Sequence, residues 1–584
     1  MVLSHNVIKK ILDYILNIST EIDHLLIFLR KYSLICKEWN LKIIPKLAMC
    51  NEMSTKDRNV DLLDKFIHIS DRYDFINYSW GIKAYTKSLD RSEQYKLADH
   101  VTTISVNKLE HLSTIDQYTK LERIRIEKLK AAKGQLKSRD QLVNKKVQYI
   151  FESYGEFNFY SDVKLDDCGE TNYVSMDMMD ILFNNRGWHF TDVCLEYFII
   201  FSNTKPLPSI IEDSQPNQLK KLVLYSILIE QPLLFSILEN LPLVETLSLT
   251  AVRFPNSNPK YYDNVLEKVQ SVSLPNLRKF SITTEIVVTF STFISFLNKI
   301  KAPKVLYNLE KIESESDEQL QNAIIDNPHI KNFNFFNMQG LFTHKPKEDF
   351  NLYSIWKSKE SLEKIRIFSC MNFNNTGKEL VNLHTVGIMD PNRVLQYNTM
   401  ENIKDIVQMK LPKLRSILLL SMDTSILDPK IFMGVEFLDR LDLPTIKFKT
   451  LCDILELKSL VSKINVRYIR ALEFDNIAQQ LSDSLSKNKL LTELFFYSIN
   501  VAYDKYQLYI DILKKCNLKK ISLPNYKKAS PVTTSHLKQF REVLSQIDPD
   551  LLPYSIDISS PSPDENHKEL GNLLSKYAIV FRYP

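Results

Sequence analysis

Residues 219–249, LKKLVLYSILIEQPLLFSILENLPLVETLSL, decide the fold. The stretch opens with Leu219, Leu222 and Leu224 and closes with Val244, Leu247 and Leu249, so one apolar spacing of positions 1, 4 and 6 occurs twice. Positions 4 and 6 alternate as a short strand does, which puts both side chains on one face, while position 1 anchors the turn that enters it. Between the copies, residues 232–239 read as a helix. A single strand of this kind cannot bury its own face. Strand, turn and helix repeated at this period predict an α/β stack in which neighbours supply the missing core, a curved solenoid with a parallel sheet along one side.

Working outward, the spacing recurs at Leu277-Phe280-Ile282, Ile330-Phe333-Phe335, Leu362-Ile365-Ile367, Leu383-Val386-Ile388, Leu414-Ile417-Leu419 and Leu438-Leu441-Leu443. It continues at Ile469-Leu472-Phe474, Leu491-Leu494-Phe496 and Leu518-Ile521-Leu523, with a degenerate copy at Ile312. A charged or polar residue often precedes position 4. Weaker copies extend it backward through Val101-Ile104-Val106, Leu121-Ile124-Ile126, Tyr154-Phe157-Phe159 and Phe190-Val193-Leu195. The period scatters about the 20–29 residues typical of leucine-rich repeats, and the chain resembles that family. In the family an Asn or Cys usually follows position 6 by three residues. Here Ile227, Val252, Met338, Met422, Ile446 and Ile477 stand there, and only Cys370 conforms, which predicts irregular turns packed into the core. The resemblance places the binding surface on outward residues between positions 4 and 6 and just after 6: Val223, Ser248, Asn334, Arg366, Asp442, Glu473 and Ser522. That mixed set predicts a protein substrate of unknown identity.

At the amino end, Ile8, Ile11, Leu12, Ile15 and Leu16 fall on one helical stripe. A second stretch, with Leu25, Phe28, Leu29, Tyr32, Ile35, Cys36 and Trp39 on one face, breaks at Pro45. Two such helices hold too little core to stand alone and need a partner. Residues 33–39, Ser-Leu-Ile-Cys-Lys-Glu-Trp, are similar to the closing signature of an F-box, and residues 8–15 to its opening helix. The Leu-Pro that usually opens an F-box reads Leu3-Ser4. The resemblance implies docking on the Skp-type adaptor of a cullin ubiquitin ligase through Ile8, Ile11, Leu12, Ile15, Leu34, Ile35, Cys36 and Trp39. The alternative is a leucine-rich-repeat scaffold without a ligase connection, its first helices serving as a cap.

The organisation expected is an F-box-like all-helical module at 1–46, a helical linker or cap at 47–97, the irregular repeat solenoid at 98–540, and a cap and tail at 541–584. The balance of 44% hydrophobic and 25% charged residues belongs to a folded protein. A net charge of +5 over 584 residues gives no strong field toward nucleic acid or an anionic membrane. Seven scattered cysteines spell no disulfide framework or zinc site, and no apolar window approaches the ~20 residues that span a bilayer. The expected setting is cytoplasmic or nuclear.

Ten glycines in 584 residues disfavour enzymes built on glycine loops that cradle phosphate. Gly377-Lys378 lacks the rest of a phosphate loop, and no His-Glu-x-x-His, Gly-x-Ser-x-Gly or Cys-x-x-Cys is written. No catalytic residue, metal ligand or cofactor is therefore assigned. Residues 120–146 hold ten Lys or Arg against three acids, yet no aromatic residue on which a base could stack. They read as a solvated basic face, and nucleic acid is not the expected partner.

Overall fold

A computed structural model of the chain describes residues 218–254, 261–313, 316–336, 353–368, 379–389, 397–420, 427–432, 438–457, 461–472, 476–523, 531–548, 551–558, 565–577 and 579–582, and, before these, short strands and residues 8, 9, 12, 43, 122 and 183. It divides into two compact units, residues 1–258 with 268–284, and residues 259–267 with 285–584.

In the first unit the strands Met53–Thr55, Trp80–Ala84, Val101–Val106, Arg123–Glu127, Gln148–Tyr154, Phe190–Glu196, Lys221–Tyr225 and Thr246–Thr250 pair in chain order, every pair parallel. The last of them pairs with the strand beginning at Lys279. Leu222, Leu224, Leu247 and Leu249 point inward and are buried, as positions 4 and 6 require. The helix Gln231–Glu239 has a proline in its first turn, where a missing N–H costs nothing, and buries Leu233, Leu234, Ile237 and Leu238. After two successive strands the chain turns through a left-handed residue, Ser226 at φ 52° and Ala251 at φ 49°. Each is followed by a buried aliphatic side chain, Ile227 and Val252, so the turn without Asn is closed by core packing.

The second unit repeats the plan. Its strands Lys304–Glu313, Asn332–Phe336, Lys364–Phe368, Thr385–Met389, Ser416–Leu420, Leu438–Lys447, Val461–Arg470, Glu493–Ile499, Lys520–Ser522, Ser555–Asp557 and Val580–Arg582 again pair in chain order and all parallel. Parallel neighbours need a crossover, supplied here mostly by helices. Phe448–Leu455, Ile477–Lys487, Lys505–Lys515, Thr534–Gln546 and Glu565–Lys576 lie side by side, each packed on the next. The starts of the middle three are set by side-chain caps: Asn476 accepts from Gln479 N, Asp504 from Tyr506 N and Gln507 N, and Thr533 with His536 closes a capping box. Where the early repeats carry more aromatic residues, the core is filled by packed rings, with Phe293 edge-on to Tyr307 at 5.1 Å and Phe333 tilted against Trp356 at 5.0 Å between centroids.

The α/β repeat and its parallel sheet match the reading of the spacing, but the register corrects three copies. Ile464 of the strand Val461–Arg470 pairs with Leu441 and Leu494, whereas Leu472, proposed as the middle of a copy, is 58% exposed. Val305 pairs with Phe333, so the copy assigned to Ile312 is Ala302-Val305-Tyr307, all buried. Upstream, Tyr149 and Phe151 stand beside Ile124 and Ile126, in place of Phe157 and Phe159, which lie outside the described residues.

The boundaries move as well. Strands at Met53–Thr55 and Trp80–Ala84 put sheet into the region expected to be a helical linker or cap. Ser555–Asp557 and Val580–Arg582, with helix Glu565–Lys576, make further repeats of the segment expected to be cap and tail. Among the described residues no helix is long and apolar enough to cross a membrane.

Candidate protein-interaction face

Because side chains alternate along a strand, the residues just before and just after position 4 leave the core together and share the opposite face of the sheet. Parallel pairing then aligns equivalent residues of successive repeats into rows. In the second unit the row before position 4 runs Lys304, Asn332, Lys364, Thr385, Ser416, Arg440, Lys463, Glu493, Lys520 and Ser555. The row after it includes Arg366, Asp442, Asn465, Phe495, Ser522 and Asp557.

Toward the carboxyl end these rows are knitted together. Arg440 donates from Nε and Nη2 to the two carboxylate oxygens of Asp442 at 2.7 and 2.6 Å, a bidentate pair allowed because residues two apart on a strand share a face. Asn465 donates to the same carboxylate at 2.5 Å. Next along the sheet, the Lys463 ammonium lies 2.9 Å from Glu493, which also accepts from the Tyr554 hydroxyl at 3.2 Å. Burial pushes the Glu493 carboxyl up, but Lys463, Tyr554 and the charge of Lys520 outweigh it and hold the group below the usual carboxylate range. The Phe495 ring has the ammonium groups of Lys463 and Lys520 at 4.8 and 4.9 Å from its centroid, one from the strand on either side. Beside them Tyr497 is 62% exposed.

Toward the amino end of this unit the face is cationic and less compensated. Burial is the first cause that lowers the Lys364 ammonium below its ordinary range, and the remaining causes are all cations: Arg366, Lys304 and Arg440. Burial likewise lowers Arg366. Its strand neighbour is Gly387, where a Cβ would meet Arg366 Cγ at 2.9 Å, so the missing side chain leaves the room that the arginine stem fills. Asn334, one strand before Arg366, is 4% exposed, and its Oδ1 has no hydrogen-bond partner among the described residues.

The structure brings Val223 and Ser248 to the outward side of the sheet in the first unit, and Arg366, Asp442 and Ser522 in the second, while Asn334, on the same side, is buried and so is not part of an exposed surface. Glu473 lies outside the described residues. Sequence reasoning missed the row before position 4, although its signal, a charged residue at that place in many copies, is visible in the sequence. Of the residues proposed to dock an adaptor, Ile8 and Leu12 are helical; Ile8 is half-buried, and Leu12 is 1% exposed within the chain itself. Ile11, Ile15, Leu34, Ile35, Cys36 and Trp39 lie outside the described residues, as does the basic segment beyond Glu127.

Among the described residues no group of three His, Cys, Asp or Glu side chains is placed to hold a metal ion. Burial pushes the Cys516 thiol up to about 12, far from the low values of reactive cysteines. No family model matches this chain, and a search of curated proteins finds no match.

Proposed function

We propose that the chain is a non-catalytic interaction protein whose repeat sheet presents its outward face to a protein substrate, and whose residues 2–46 dock a Skp-type adaptor of a cullin ubiquitin ligase. The observation that carries the first part is the continuous pair of outward rows on the second unit's sheet, polar and aromatic, on strands whose opposite side is filled core. A surface of this kind fixes many side chains on a rigid support at small entropic cost, which favours protein recognition. The second part rests on the sequence signature at residues 33–39, with Cys36 and Trp39.

The test is direct binding of full-length protein to a purified Skp-type adaptor. Truncating an interface aromatic anchor costs about 2 kcal/mol or more, a factor of about thirty in affinity. The triple variant Ile11→Ala, Ile15→Ala, Trp39→Ala is expected to lose at least that factor while residues 98–540 keep their melting profile. Replacing Lys128, Lys130, Lys133 and Lys137 by Gln is expected to leave adaptor affinity unchanged. A wild-type chain that binds no Skp-type adaptor removes the ligase connection and leaves the scaffold.

A further inference from the structure

We propose that the outward face of the second unit's sheet is a binding site for an extended, acidic protein segment, laid across the strands along the row Lys304, Lys364, Arg440, Lys463 and Lys520. The proposal rests on the reading of that face as a protein-binding surface and names the chemistry of what it takes.

Three features converge on this occupant. The first is register: the five cations are equivalent residues of their repeats, brought into one line by uninterrupted parallel pairing from Lys304 to Lys520. Eight strand-to-strand steps at about 4.8 Å each give a row of roughly 38 Å, which an extended chain rising about 3.3 Å per residue spans with about twelve residues. The second is charge. The carboxylates on this face are already engaged, Asp442 by Arg440 and Asn465, Glu493 by Lys463 and Tyr554, and Asp557 by the Ser522 hydroxyl at 3.2 Å. Lys304, Lys364 and Lys520 make no ion pair among the described residues, and the charges acting on Lys364 are all positive. An incoming carboxylate there relieves repulsion as well as forming a new pair.

The third feature separates a peptide from a single-stranded nucleic acid. A nucleic acid puts a phosphate at every step and looks for open aromatic faces on which to stack bases. Here Asp442, Glu493 and Asp557 interrupt the track, and the Phe495 ring is attended by two ammonium groups. A peptide can place carboxylates opposite the lysines and neutral or aromatic side chains elsewhere, against Leu306, Leu418 and the exposed Tyr497.

The experiment is fluorescence anisotropy on the full chain at low salt with three labelled probes: a twelve-residue peptide alternating Glu and Tyr, the same peptide with Gln for Glu, and a twelve-nucleotide oligothymidylate. Saturable binding of the Glu peptide is expected, at least tenfold tighter than the Gln peptide and tighter than the oligonucleotide. The variant Lys304→Gln, Lys364→Gln, Lys520→Gln removes no ion pair among the described residues, only the contact of Lys520 with the Phe495 ring, and is expected to weaken the Glu peptide by tenfold or more with little change in melting profile. Gly387→Ala, which crowds Arg366, is expected to weaken it about threefold. Equal affinity of wild type and triple variant, absence of saturable binding, or preference for the oligonucleotide overturns the proposal. Adaptor affinity measured on the same lysine variant tells the two readings apart. If peptide binding fails while the adaptor still docks, the acidic class is wrong and the interaction role stands; a wild-type chain that takes the peptide and no adaptor leaves the present inference intact.

Discussion

Ile464→Ala is expected to destabilise the second unit by about 2–5 kcal/mol, whereas Leu472→Ala changes its stability by no more than about 0.5 kcal/mol. The two residues are eight apart, both branched aliphatics, and the repeat spacing read from sequence favours the second. The register favours the first: Ile464 is fully buried and stands between Leu441 and Leu494, so truncation leaves a cavity between two neighbouring repeats. Such a cavity weakens both interfaces of the repeat, and in a stack whose stability is a sum of repeat and interface terms no distant contact compensates. Leu472, at 58% exposure, loses little on truncation. Urea denaturation of the full chain followed by far-ultraviolet circular dichroism measures both variants. Comparable losses in the two would mean that Leu472 holds a core position, and the pairing of Ile464 with Leu441 and Leu494 would be wrong.

That pair also shows where the sequence was legible and where it was not. Position 4 of a repeat is recognised by its aliphatic partners at 1 and 6, and wherever those are leucines, as around Leu222, Ile417 and Leu441, the reading and the register agree. It fails where an alternative residue fills the same volume. Ala302 and Tyr307 flank Val305 in the core, but neither looks like a leucine at the required place, and Ile312 further along the same long strand draws the assignment away. Likewise the strand Val461–Arg470 offers Val461, Ile464, Val466 and Ile469 inward, and its far end imitates a new copy.

The outward face was legible in its local half. Arg440 and Asp442 are two apart on one strand, so their shared side follows from the pleat alone. The cluster of Lys463, Glu493, Phe495, Lys520 and Tyr554 draws on four segments separated by the helices Ile477–Lys487, Lys505–Lys515 and Thr534–Gln546, and only the pairing brings it together. Charge at the residue before position 4 was visible in many copies, but its meaning depends on consecutive repeats being in register, which spacing with variable loops does not determine.

On the helical side of the same repeats, replacing the buried Lys505 is expected to stabilise the protein, in a manner set by pH. Lys505 opens the helix Lys505–Lys515 directly after its cap Asp504, is 7% exposed, and lies with its ammonium 5.9 Å from the Tyr509 ring centroid. A cation at a helix amino terminus opposes the helix dipole, and burial strips its water. Burial lowers its pKa to about 8, against a partial offset from the charge of Asp557. The unfolded chain holds the proton up to the ordinary lysine value near 10.5, so between these two values it binds more protons than the folded one, and stability rises with pH there. Below pH 8 the cost is fully present, on the order of 3 kcal/mol from a shift of this size at about 1.36 kcal/mol per unit. Lys505→Met keeps the length of the side chain and removes the charge. Its melting temperature is expected to exceed that of the wild type by several degrees at pH 7 and by much less at pH 9.5. The comparison stops short of pH 10, because burial raises the Tyr503 and Tyr509 hydroxyls, and their ionisation on unfolding then erodes stability in both proteins. A gap that is the same at both pH values would show that Lys505 titrates as it does in water. A variant less stable at pH 7 would show that Tyr509 and Asp557 return more to the ammonium than burial takes.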